Sequence, residues 1–350
     1  MSVIALIPAH NEAEWIGKIV KNLREQTYSP SRIIVVSDNS TDATVALAEA
    51  AGAEVQVSVD NTHKKAGALN QALGKILPGL DDTDFIFIQD ADTLPAPHWL
   101  EVGLAWAANR PGAVISGRYA SPPTGWSMIR IVQENEFARD GRSIDRRRQR
   151  TRIVVGTSAL FKVSTLRAII TARARGDLPG ARAAAVFSVD SITEDYELTL
   201  ALKTLGFKTF SPPECDAETD VMPSIPALWR QRIRWQRGAF TDLGKYGLTR
   251  ITAWYYAAQA LWCFGMLTVA LIAAQITLVV MATGTFHPAA IWLETLPLFI
   301  AYRVLTVRRT GWKGMLVAGV MLPETMYDFF RYAIYLTCAF KALIGAEAKW

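Results

Sequence analysis

Over the first 120 residues, short and almost unbroken apolar runs alternate with longer stretches whose apolar residues recur every three or four positions. The short runs predict strands over 3–7, 33–37, 54–58, 85–88 and 113–116. The stretches between them predict helices over 12–26, 41–51, 66–77 and 97–108. Strands without polar alternation are covered on both faces, and strands separated by helices pair in parallel. The expected fold class is α/β, with a Rossmann-like, mostly parallel sheet whose ligands gather at the carboxyl ends of the strands.

The pattern changes near residue 250. No Asp, Glu, Lys or Arg occurs from 251 to 293, and a membrane-spanning helix needs about 20 mostly apolar residues. Spans are expected over 254–281 and 288–307, with a turn at 284–288. Arg308, Arg309 and Lys313 follow the second span, whereas the turn carries no basic residue. The positive-inside rule then places residues 1–250 and this cluster in the cytoplasm. A third apolar stretch, 314–343, contains Glu324, Asp328, Arg331 and Lys341. It reads as a kinked span, a re-entrant element or an interfacial helix. The apolar residues 3–7 run straight into Pro8, His10, Asn11 and Glu12, so no signal peptide is expected.

Composition narrows the function. With 51% hydrophobic and 20% charged residues the chain is not disordered. Cys215, Cys263 and Cys338 are too far apart for a metal or redox motif. A net charge of +5, scattered along the chain, excludes a nucleic-acid-tracking face, while eleven Trp suit a membrane-associated protein.

Candidate chemistry follows the strands. Pro8-Ala9-His10-Asn11-Glu12 is expected to break the first strand and open a helix. After the second strand, Asp38 precedes Ser40 and Thr41, either of which suits a helix cap. Lys64 and Lys65 precede Ala66 and Gly67 at a helix start, where the macrodipole disfavours cations and a bound anion such as a diphosphate would remove the conflict. Asp90 and Asp92 end the fourth strand, and a hard divalent cation would relieve their repulsion. A solvated acidic turn is the alternative. Thr193 reads as the N-cap of a helix beginning with Glu194 and Asp195, and capping alone accounts for that arrangement. In Trp229-Arg230-Gln231-Arg232-Ile233-Arg234-Trp235, residues Gln231, Arg234 and Trp235 share one helix face. That face suits a phosphate-bearing sugar, or else the helix lies at a lipid interface with its tryptophans at headgroup level. Segment 128–152, rich in Arg, reads as a solvated basic helix rather than an amphipathic lid.

In this order, Asp38, Lys65-Ala66-Gly67, Asp90-Ala91-Asp92, Thr193-Glu194-Asp195 and Gln231-Arg232-Ile233-Arg234-Trp235 resemble the membrane-bound family 2 glycosyltransferases. These include the synthases of cellulose, chitin, hyaluronan and poly-N-acetylglucosamine. The resemblance covers nearly the whole chain. It implies a GT-A nucleotide-sugar-binding catalytic domain over 1–222, amphipathic interfacial helices over 223–250 and two to three transmembrane helices over 251–350. It further implies that the loop from Pro8 through Asn11 to Glu12 borders the nucleotide and that Asp38 recognises a uracil base. Lys65 and Gly67 would lie near the diphosphate, Asp90 would help hold the nucleotide, and Asp92 would bind Mg2+ or Mn2+. Asp195, beside Glu194, would be the general base. Gly156 and Thr157 would line the acceptor position, and Gln231, Arg234 and Trp235 would contact diphosphate and acceptor.

The expectation is thus an integral membrane, inverting glycosyltransferase with a cytoplasmic catalytic domain, building a β-linked polysaccharide from a UDP-sugar. UDP-N-acetylglucosamine is favoured over UDP-glucose. Single-sugar transfer to a lipid or other membrane acceptor is the alternative, and a nucleotide-sugar-binding protein without turnover is a minor one. The family's polymerases carry one or two spans before the catalytic domain, where this chain starts at its first strand, so a pore built by one chain is less expected. Membrane lipids are expected partners, and an oligomer or partner subunit stays open.

Overall fold

The computed structural model describes residues 1–120, 126–180, 184–285 and 290–345, the first four of the last stretch by backbone only. The chain divides into two compact units, one of Met1–Gly125 and Asp140–Met222 and the other of Trp126–Arg139 and Pro223–Glu347.

The first unit holds β1 (Val3–Ala9), α1 (Ile16–Arg24), β2 (Arg32–Ser37), α2 (Thr44–Ala50), β3 (Glu54–Val57), α3 (Lys64–Ile76) and β4 (Phe85–Gln89). It continues through β5 (Thr93–Pro95), α4 (Trp99–Ala108), β6 (Ala113–Ser116) and β7 (Arg118–Ala120). Helix α5 (Met128–Arg146) begins in the second unit and ends in the first. After it come β8 (Ser158–Lys162), α6 (Val163–Arg175), α7 (Glu194–Thr204), β9 (Lys208–Phe210) and β10 (Asp216–Thr219).

Seven strands form one sheet in the order β3-β2-β1-β4-β8-β6-β9. All neighbours pair in parallel except β8, which runs antiparallel between β4 and β6. The mostly parallel sheet agrees with the pattern, but the inserted antiparallel strand was not expected. Directly after Gly156 and Thr157, Ser158 already pairs with Gln89 as the first residue of β8. A second sheet, β5-β10-β7, was also unforeseen. Both faces of the large sheet are covered. Val3, Ala5 and Ile7 join Ile16, Ile19 and Leu23 of α1 and Trp99 of α4 in one apolar cluster. The alternate residues Ile4 and Leu6 are equally buried, as period-two geometry requires.

In the second unit, α8 (Ile225–Tyr246) is one continuous helix, capped by Ser224 and carrying Pro226 in its first turn, rather than several short ones. Helices α9 (Ala253–Thr283), α10 (Ala290–Thr306), α11 (Gly311–Val320) and α12 (Leu322–Leu343) follow. The expected turn at 284–288 falls largely on residues 286–289, outside the described residues. The third apolar stretch is two helices broken at Met321, whose φ of 64° lies in the left-handed region. Among the described residues α9 alone is long and apolar enough to cross a membrane.

The segment expected to be a solvated basic helix is not solvated. On α5, Asn135 is fully buried and Gln133 1% exposed. Asn135 donates to Glu324 Oε1 at 2.8 Å, and Arg139 grips both Glu324 oxygens at 2.7 Å. Arg303 adds a bond to Glu324 Oε2 at 2.8 Å. The charges in the third apolar stretch are thus partly spent on internal ion pairs, which a linear hydropathy pattern does not register.

Candidate active site

The loops after β1 and β2 are tied together. Pro8 does not break the strand: it is buried within β1, in register with Val36. The turn comes at Asn11, with φ 57°, and Asn39 mirrors it at φ 52°; asparagine tolerates this left-handed region better than most residues. Asn11 Oδ1 accepts from the Thr41 amide at 2.8 Å, and the Asn11 amide donates to Ser40 Oγ at 3.2 Å. Helix α2 is therefore capped neither by Ser40 nor by Thr41. Ala43 is the N-cap residue by position, and Asp42 just before it accepts from the Thr44 amide at 3.0 Å.

Asp38 directly follows β2 and is 9% exposed. Its Oδ1 accepts from Ser58 Oγ at 2.7 Å, Asn61 Nδ2 at 2.8 Å and Asn39 Nδ2 at 3.0 Å. These bonds aim the carboxylate while loading one oxygen only. Sequence reasoning missed Asn61 and Ser58, which only pairing of β3 with β2 brings to Asp38. Gly67 has a steric reason: a Cβ there would sit 2.0 Å from Asn61 Oδ1.

The cations that looked misplaced at the start of α3 find protein partners. Lys65 Nζ lies 2.5 Å from Asp90 Oδ1 and 3.2 Å from Glu194 Oε1. These carboxylates face its charge directly. Burial works against the Lys65 ammonium, but Asp90, Glu194 and Asp195 outweigh it and hold its pKa above that of an ordinary lysine. Asp90 is raised, first by burial and then by Asp92, with Lys65 opposing.

Asp195 lies in the first turn of α7 beside this cluster. Thr193 is the N-cap residue by position, but its side chain makes no capping hydrogen bond. Asp195 instead takes the Tyr196 amide on Oδ1 at 2.7 Å and the Gly156 amide on Oδ2 at 3.2 Å. Burial and then the Glu194 charge push its pKa up to about 6. A Cβ on Gly156 would come within 3.1 Å of Lys65 Nζ, so this loop passes close against both charged groups. Thr157 presents its backbone carbonyl to the Asp90 amide at 3.1 Å, while its hydroxyl is buried without a hydrogen bond among the described residues. Lys65, Glu194 and Asp195 line a small cleft together with Leu69, Ile88, Val154, Phe161 and Phe187.

Among the described residues no three His, Cys, Asp or Glu side chains are grouped so as to hold a metal ion by themselves. Asp92 is half-buried just beyond β4. Glu12 is pushed up to about 7 by burial and then by the charges of Asp92 and Asp90. Such mutual repulsion suits a cation, and a hard ion commonly takes one or two carboxylates and completes its shell with water and phosphate oxygens. The donor set fits that mode and not an all-protein cage.

Gln231, Arg234 and Trp235 lie in the second unit, on α8, all half-buried. Nearby on the same helix, Trp229 packs edge-on against Phe330 with centroids 5.6 Å apart. Arg232, which the face pattern leaves out, is the buried member of the motif.

Comparison with known proteins adds the following. Residues 4–170 match the family described as glycosyl transferase family 2. A poly-beta-1,6-N-acetyl-D-glucosamine synthase of Staphylococcus aureus is 24% identical over 239 residues, 67% of this chain and 53% of the relative. A beta-monoglucosyldiacylglycerol synthase of Synechocystis is 27% identical over 256 residues, 68% of this chain and 48% of the relative. The chain thus spans about half the length of the curated relatives it matches. A mannosyltransferase from Pyrobaculum calidifontis, solved with GDP-mannose and Mn2+, superposes over 99% of this chain and 88% of its own with a TM-score of 0.62 at 20% identity. That likeness establishes the GT-A fold.

Proposed function

We propose that this chain is a glycosyltransferase, a reading supported by the match of residues 4–170 to glycosyl transferase family 2, and that it transfers sugar from a UDP-sugar, with inversion, to a growing β-linked polysaccharide at a membrane. The observation that carries this reading is Asp195. Two backbone amides fix its carboxylate, and its pKa of about 6 leaves it ionised at neutral pH yet more basic than an ordinary aspartate.

In the reaction, an acceptor hydroxyl attacks the anomeric carbon as Asp195 removes its proton. The bond from that carbon to the diphosphate oxygen breaks, and the nucleoside diphosphate departs with the electron pair. A single displacement inverts the anomeric centre, so an α-linked donor gives a β-linked product. Asp38 accepts a hydrogen bond from the base through the oxygen that Ser58 and Asn61 leave uncommitted. The loop of Pro8, Asn11 and Glu12 borders the nucleotide. Lys65 exchanges a carboxylate for the diphosphate as charge builds there. Asp92, with Asp90 beside it, would hold Mg2+ or Mn2+, which when bound neutralises charge on the leaving diphosphate. Gly156 and Thr157 shape the acceptor position, and Gln231, Arg234 and Trp235 grip acceptor and diphosphate.

UDP-N-acetylglucosamine is the proposed donor, with UDP-glucose second. The match to a poly-N-acetylglucosamine synthase supports polymer formation. The match to a glucosyldiacylglycerol synthase supports a second reading, transfer of one sugar to a lipid. Purified protein incubated with UDP-N-acetylglucosamine, UDP-glucose or GDP-mannose, each with Mg2+ or Mn2+, tests this by nucleotide release and product sizing. A β-linked ladder from UDP-N-acetylglucosamine is expected. A single glycolipid would favour the second reading, and an α-linked product would overturn the inverting scheme.

A further inference from the structure

Arg232 sits inside the Gln231–Trp235 motif but one residue, about 100° around the helix, from Gln231. It is 9% exposed. Its guanidinium donates to Glu136 Oε2 at 2.7 Å and to the Tyr327 hydroxyl at 3.4 Å. The Tyr327 hydroxyl donates to the same Glu136 oxygen at 2.6 Å, and Arg331 lies 3.5 Å from the other. One carboxylate on α5 thus gathers groups from α8 and α12. The same guanidinium lies 4.4 Å from the Trp235 ring centroid and 5.9 Å from that of Phe137.

We propose that Arg232 is a positioning residue for transfer, fixing through Glu136 the rotation of α8 and the plane of the Trp235 indole. The inference rests on the reading above, that Gln231, Arg234 and Trp235 meet diphosphate and acceptor. Arg232 itself touches no substrate. A well-packed apolar pair would hold two helices together at lower desolvation cost than this ion pair, so helix docking alone is a weak reason for it. What an apolar pair does not supply is direction. A guanidinium donates within its own plane and presents a flat face to an aromatic ring, and a lysine ammonium does neither. Glu136 sets where the guanidinium lies, and the guanidinium sets how the indole lies.

The test uses the full chain, purified in detergent, with four variants. Arg232→Lys keeps the charge opposite Glu136 and loses the flat stacking surface. The expected result is UDP affinity within about twofold of wild type and kcat for transfer lowered about tenfold or more. Glu136→Gln should give the same split, and the double variant should be no slower than the slower single one. Wild-type kcat in Arg232→Lys, with Trp235→Ala crippled, would overturn the inference and leave the reading of α8 intact. Normal transfer by Trp235→Ala would remove that reading, and this inference with it. A parallel fall of UDP affinity, melting temperature and kcat in Arg232→Lys would show helix docking only and also overturn it.

Discussion

Asp195 is held by amides that any residue could supply, yet buried beside Glu194, and these influences oppose each other. A base with a pKa near 6 gives a transfer rate that falls about tenfold per pH unit well below 6 and levels above it. The linkage has the opposite sign to the usual carboxylate. The folded-state pKa is raised from 3.8, so ionisation costs stability above 3.8, fully so above about 6, and nothing at lower pH. Asp195→Asn is therefore expected to abolish transfer, retain UDP binding and melt several degrees higher at pH 7.5, with the gain vanishing near pH 4. Retained transfer in a rate assay, or a lower melting temperature at pH 7.5, would contradict it. Asp38, Asp90 and Asp92 were legible because each follows a strand, whereas Asp195, in the first turn of α7, stood out only through the family resemblance. Their partners were not. Asn61 reaches Asp38 across 23 residues and Glu136 reaches Arg232 across 96, and no local pattern marks either.

Elements with strong periodicity were readable, and short or tertiary-determined ones were not. The five strands expected in the first 116 residues are all present, because buried parallel strands announce themselves as apolar runs. Strand β8 has only Ala159, Leu160 and Phe161 as its apolar signal, and its direction depends on β4 and β6 rather than on itself. Helix α7, which carries Asp195, is anchored in a way that charge patterning also missed. Glu197 on α7 and Arg173 on α6 form a pair 2.5 Å apart, with side chains 2% and 3% exposed. Arg173 also donates to the Val186 carbonyl at 3.2 Å. Removing one partner strands the other charge in the interior, so Arg173→Met should cost about 3–5 kcal/mol, read as a shift in chemical denaturation midpoint. Transfer should fall with it, since the α7 first turn carries Asp195, the proposed base. A change below about 1 kcal/mol would show that water reaches Glu197.

At the scale of the chain, the polypeptide leaves the α/β unit after residue 125, returns at 140 and leaves again at 223. The family resemblance implied one boundary at 222, and nothing in the polar pattern of residues 126–139 marks them as part of a helical apolar unit. Their polar groups are satisfied there by Glu324, Thr310 and Arg232. Helix α9 makes the physical case for a membrane. It runs 31 residues, and its most apolar window has a mean hydropathy of 2.2 with none of it buried. Leu261, Leu267, Leu271 and Leu278 are each more than half exposed. A helix apolar on all sides needs an apolar surrounding, and at 1.5 Å per residue this one exceeds the roughly 30 Å hydrocarbon core. The chain is therefore expected to remain in the membrane pellet after an alkaline carbonate wash. Leu271→Arg, near the middle of α9, adds about 2.5–3.5 kcal/mol to insertion and should move a substantial fraction of the protein out of that pellet. Release of the unmodified chain into the supernatant as a monodisperse species would mean that another protein surface, not lipid, covers α9. The residues between α9 and α10 would then no longer be bound by the positive-inside argument.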